Sequence, residues 1–70
     1  MVKQVVDLEK MRRLRKEKMS LEEMSYLLGY NSPNGYYYLE RGRTKISAEK
    51  LADVARILDV GIEELFTDSH

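Results

Sequence analysis

Between Ser20 and Lys45 the signals that start and stop helices lie so close together that the chain has room for two short helices joined by a tight turn. Ser20 followed by Glu23 makes a capping box: the hydroxyl accepts from a first-turn amide while the carboxylate reaches back to the cap amide. Leu21, Met24 and Leu28 then fall on one side, and Gly29 supplies the left-handed residue that ends a helix without a Cβ clash. Ser32 before Pro33 restarts the chain, because Ser caps well and Pro, lacking an amide hydrogen, is best tolerated at the first helical position. This second helix, from Pro33 to Glu40 and stopped at Gly42, spans about two turns. A helix that short persists only by packing on its neighbours.

The flanks extend the same pattern. Asp7 can cap a helix from Leu8 to Lys18 whose Leu8, Met11 and Leu14 form an apolar stripe, and the preceding MVKQVV reads as an extension of that helix or as a loose arm. Ser47 caps a further helix in which Leu51, Val54, Ala55 and Leu58 recur at helical spacing. Gly61 begins a last short helix, Ile62 to Phe66, and the tail TDSH is expected to fray. Nothing alternates as a strand would, and no repeat or linker interrupts the order. The expectation is an all-α bundle of about five helices, one domain over residues 1–70 with its core at 8–66.

Composition narrows the function classes. A 70-residue chain typically buries only ~60% of the surface its unfolded form exposes, which leaves little material for a second activity. With no cysteine there is neither a disulfide framework nor a thiolate metal site, and the expected setting is reduced and cytoplasmic. No apolar run approaches the roughly 18 residues of a membrane span, and MVKQVV is too short for a signal-peptide core. His70, the one histidine, stands at the terminus, and there is no phosphate-cradling glycine loop, so no enzyme activity, cofactor, metal or small-molecule ligand is expected. The acid pairs Glu22–Glu23 and Glu63–Glu64 fall in first turns of helices, where the macrodipole favours them.

The formal charge is zero but unevenly spread: ten Lys and Arg against six Asp and Glu over residues 1–45, two against six over 46–70. Phosphate binding needs a basic face and not a basic total. Lys10, Arg12, Arg13, Lys16 and Lys18 read first as a solvated helix face, whereas Arg41, Arg43, Thr44 and Lys45 follow the short helix directly, where side chains and amides would meet phosphate oxygens. An α-helix fits the major groove, and first-turn residues of such a helix reach base edges. Ser32, Pro33 and Asn34 occupy that turn. Asn34 can pair bidentately with adenine, or equally serve as turn chemistry with Gly35. Tyr36, Tyr37 and Tyr38 stand about 100° apart around the helix and cannot all be buried. Tyr36, three residues before Leu39, belongs to the core; Tyr37 and Tyr38 point outward, toward a thymine methyl or phosphate on one reading and toward a partner protein on the other.

Taken together, LRKEK ahead of SLEEMSYLLG, then GYYYLERGR, then SAEKLADVARILDV and IEELF resemble the Cro and phage-repressor type of helix-turn-helix, the lambda-repressor-like fold. The resemblance spans Met11 to Phe66 and implies base-reading positions at Pro33, Asn34 and Tyr38 with Tyr37 at the groove edge. It implies phosphate positions at Arg41, Arg43 and Lys45 and at Ser20 by the second helix's cap, to which the reading adds Ser32 and Thr44. It also implies a small residue at Ser25 where two helices approach, and a largely buried ion pair between Arg15 and Glu40. The sequence departs from the pattern in a shorter first turn carrying Lys18-Met19 in place of a glycine, a longer turn GYNSPN, Leu21 in place of a glutamine, and Gly61 in place of a capping Ser or Thr. The implied function is a sequence-specific, double-stranded-DNA-binding transcriptional regulator, a prokaryotic or phage repressor. It would act as a homodimer on a palindromic operator, with the acidic C-terminal part and Ile62, Leu65 and Phe66 as the dimer contact. The alternative is a protein-interaction module, antitoxin- or antirepressor-partner-like, using the tyrosine face.

Overall fold

The computed structural model describes residues 3–68. In chain order they form strand β1 (Gln4–Val6), helices α1 (Leu8–Lys18), α2 (Leu21–Leu27), α3 (Asn34–Glu40) and α4 (Ala48–Leu58), a 3₁₀ turn (Ile62–Leu65) and strand β2 (Phe66–Asp68). Three of the four α-helices, α1, α2 and α4, start where short polar side chains satisfy first-turn amides: Asp7 accepts from Lys10 N, Ser20 from Glu23 N and Ser47 from Lys50 N. At Ser20 only this half of the capping box is made among the described residues.

Met11 from α1, Met24 and Leu28 from α2 and its cap, Tyr36 and Leu39 from α3, Leu51, Val54, Ala55 and Leu58 from α4, and Leu65 from the 3₁₀ turn meet in one core. Each fully buried aliphatic in it contributes roughly 1.5–3 kcal/mol. All four α-helices pack into that core, so the fold is all-α in character, as expected. The fifth helix is the 3₁₀ turn, tighter and shorter than foreseen.

The two ends of the described chain depart from expectation. Residues 4–6 are neither a helical extension nor a loose arm: they pair antiparallel with 66–68, Gln4 opposite Asp68 and Val6 opposite Phe66. Gln4 Nε2 donates to Asp68 Oδ1 at 2.8 Å, and Asp7 N to Leu65 O at 2.7 Å. Thr67 and Asp68 are therefore ordered in a ribbon where fraying was expected, while Met1, Val2, Ser69 and His70 lie outside the described residues. The ribbon also uses up part of the supposed dimer contact. Leu65 is fully buried in its own core and Phe66 is half-buried, which leaves Ile62 exposed.

The short first turn needs no glycine because Met19 is fully extended, at φ −164° and ψ 167°. Its carbonyl accepts from Arg15 Nη1 at 3.1 Å. Lys18 is exposed, as a solvated face requires, and also donates from Nζ to Leu58 O at 2.6 Å, placing a positive charge at the C-terminal end of α4.

Candidate nucleic-acid interface

α3 begins one residue later than its cap signals indicated. Pro33 is the cap residue, with helical φ −66° and ψ −17°, and Ser32 makes no side-chain cap bond. The cap comes from α2 instead. Ser25 Oγ donates to Pro33 O at 2.9 Å and accepts from Tyr36 N at 3.0 Å, so one buried hydroxyl satisfies an orphan amide of the next helix and gives a second donor to a carbonyl that also accepts from Tyr37 N at 3.3 Å. A small residue was expected at Ser25 for close approach; its hydrogen-bonding role was not legible, because its partners lie 8 and 11 residues away.

Between the two helices Gly29 takes φ +90°, and Tyr30 N returns to Ser25 O at 3.0 Å. Gly35 has no left-handed backbone, so Asn34-Gly35 is not a turn dipeptide: both residues are helical. Glycine is needed at 35 for space, since a Cβ there would overlap the Tyr30 ring.

α3 has two sharply different sides. Tyr36 is 0% exposed, Leu39 2% and Glu40 5%, which roots the helix in the bundle. Asn34, Tyr37, Tyr38 and Arg41 recur at i, i+3, i+4 and i+7 and so share the other side. Along it Asn34 and Arg41 are exposed, Tyr38 is 40% exposed and Tyr37 is half-buried. The Tyr37 and Tyr38 rings lie 5.8 Å apart at 55°, and the Arg41 guanidinium stands 5.7 Å from the centre of the Tyr37 ring. Pro33 and Ser32 are exposed at the leading end of this stripe.

The segment after α3 curls back on the helix. Gly42 at φ +75° allows Arg43 N to reach Tyr38 O at 2.9 Å and Thr44 N the same oxygen at 3.3 Å. Arg43, Thr44 and Lys45 are thereby fixed beside α3 with exposed side chains, and none of Arg41, Arg43 and Lys45 forms an ion pair among the described residues. Thr44 and Lys45 also line a groove with Lys3 and Val5 of the ribbon segment. Ser20 caps α2 in an exposed position.

Beneath this surface the Arg15 guanidinium and the Glu40 carboxylate form a buried ion pair. Hydrogen bonding to Glu40 holds the arginine's pKa above its ordinary value against the opposing effect of burial. The Tyr36 hydroxyl lies beside the pair, buried and without a hydrogen-bond partner among the described residues; burial first, then the neighbouring carboxylate, push its pKa up.

A short helix anchored by one side and capped by its predecessor, with an outward polar-aromatic stripe and a following cationic loop, defines the helix-turn-helix class of DNA-binding domain. The chain belongs to the Cro/C1-type helix-turn-helix family, whose profile, described as Helix-turn-helix, matches residues 8–65. It is thus a DNA-binding helix-turn-helix regulator whose partner is double-stranded DNA, in a family that is typically non-enzymatic. Comparison with curated proteins and with solved structures found no match. Among the described residues no helix is long and apolar enough to cross a membrane, and no group of three or more His, Cys, Asp or Glu is placed to hold a metal ion.

Proposed function

We propose that this protein is a sequence-specific repressor that lays α3 in the major groove of a palindromic operator and acts as a homodimer in the cytoplasm. The observation that carries the reading is the outward stripe Asn34–Tyr37–Tyr38–Arg41 on a helix whose opposite side is locked in the core. With Pro33 and Asn34 leading, the first turn meets base edges; Asn34 offers one donor and one acceptor to an adenine, and Tyr37 and Tyr38 offer ring edges to thymine methyls. Ser20, Ser32, Arg41, Arg43, Thr44 and Lys45 flank that entry and meet phosphates, which set register without reading sequence.

One α3 touches few base pairs, and each mismatch costs only about 1–3 kcal/mol, too little to single out one site among a genome's competitors. Two copies on a two-fold site about one helical turn apart double the readout. Repression requires no more than occupancy of the operator, which a domain of 70 residues supplies.

Selection of bound sequences from a random duplex pool, followed by titration of the winners at several salt concentrations, tests the reading. An inverted repeat and a steep fall of affinity with salt are expected. Affinity indifferent to salt would remove the phosphate contacts, and a tyrosine-dependent protein complex in place of duplex binding would favour a protein-docking face.

A further inference from the structure

The long turn that precedes α3 is held by a contact from the other side of the bundle. Lys50, in the first turn of α4, donates from Nζ to Leu28 O at 2.8 Å, and the same nitrogen stands 4.8 Å from the centre of the Tyr30 ring. That ring in turn lies so close to Gly35 that no Cβ fits between them. One ammonium therefore satisfies a carbonyl at the C-terminal end of α2, sits at the negative end of its dipole, and faces an aromatic ring pressed on the second residue of α3. Lys50 is only half-exposed, and Ser47 Oγ accepts from its backbone amide at 3.1 Å, which fixes where its stem leaves α4.

We infer that Lys50 is a positioning residue for DNA recognition, acting through Tyr30 to set how Asn31, Ser32, Pro33 and the first turn of α3 are presented to the duplex. The inference rests on the DNA reading proposed above. The added residue lengthens the turn, and a longer turn would leave α3 free to tilt about its leading end; the Lys50–Tyr30–Gly35 stack removes that freedom. Lys50 itself reads no base: its ammonium is already engaged by the Leu28 carbonyl and the Tyr30 ring.

The test compares the intact chain with Lys50→Met, Lys50→Arg, Tyr30→Leu and Tyr30→Phe, each bound to a pool-selected duplex and to a scrambled duplex of the same length, below the variant's melting midpoint. Lys50→Met and Tyr30→Leu should lower the selected-to-scrambled affinity ratio by about two- to thirty-fold, the range one cation–π contact spans, with the salt slope unchanged. Lys50→Arg and Tyr30→Phe should retain the ratio, since charge and ring survive in them. An unaltered ratio in folded Lys50→Met overturns the inference, and if that variant does not fold, an unaltered ratio in Tyr30→Leu does so. Equal loss on both duplexes with a shallower salt slope overturns it in favour of a direct phosphate contact by Lys50. If the intact chain itself selects no duplex, the DNA reading falls and takes this inference with it, an outcome visible before any variant is made.

Discussion

Arg15 and Glu40 meet fork to fork: Nε donates to Oε2 at 3.1 Å and Nη2 to Oε1 at 3.0 Å, so α1 grips the last residue of α3. With side chains only 7% and 2% exposed, neither charge can turn to water if its partner is removed. Glu40→Ala should therefore cost about 3–5 kcal/mol, comparable with the whole stability of a small domain. Replacing both partners with Arg15→Met and Glu40→Leu should cost much less, because no charge is then stranded. Urea titrations followed by circular dichroism check both, and a mild effect of Glu40→Ala would show that water reaches the pair.

Tyr36 makes stability fall in alkali. Its folded-state pKa is raised above the ordinary 10.0 by burial and by Glu40, so the folded chain keeps the phenol proton at pH values where the unfolded chain has lost it. This contribution is full below pH 10 and is lost progressively as pH rises above it toward the folded pKa. Tyr36→Phe should flatten that alkaline decline in thermal melts. Because the hydroxyl has no partner among the described residues, the same change should leave neutral-pH stability unaltered or raise it by up to about 1–2 kcal/mol.

Ser25→Ala should destabilise by about 1–3 kcal/mol, since it leaves the buried Tyr36 amide unpaired beneath the turn, while the Pro33 carbonyl keeps its bond from Tyr37 N at 3.3 Å. The Tyr36 amide should also exchange its hydrogen faster, out of proportion to the change in global stability. Uniform acceleration across α3 would instead mean that the helix merely unfolds more often.

The features that could be read from the residues alone were those made by neighbours in sequence; the Arg15–Glu40 pair, 25 residues apart, was legible only through the family resemblance. Asp7, Ser20 and Ser47 each accept from an amide three residues on, Gly29 adopts the left-handed backbone its position implied, and Gly42 lies just past the end of α3, where a stop was read. What escaped is built from distant partners. The ribbon joins Gln4 to Asp68, and three-residue strands are too short to show alternation. Ser32 looked like the cap of α3 because nothing local revealed that Ser25 would do that work. The bond that the exposed Lys18 makes was hidden because its acceptor lies 40 residues away. At the candidate interface the outward stripe followed from helical spacing, but the clamp on the turn required Tyr30, Gly35 and Lys50 to be brought together by the fold.

The two kinds of DNA contact should separate in a pair of single variants. Arg43 is exposed on the loop that curls back to Tyr38 O, outside the α3 stripe, and its charge forms no ion pair among the described residues. Arg43→Ala should weaken binding to selected and scrambled duplexes alike and reduce the slope of log affinity against log salt by about 0.9, one phosphate's worth of released counterions. Asn34, at the leading end of the stripe, carries no charge to release. Asn34→Ala should leave the salt slope intact and cut discrimination at one base pair by about 1–3 kcal/mol, with the preference relaxing at that position alone. Fluorescence anisotropy on a set of single-base operator variants measures both quantities in one experiment. If Asn34→Ala weakened every duplex equally, the leading end of α3 would be touching backbone, and base reading would have to be reassigned toward Tyr37 and Tyr38.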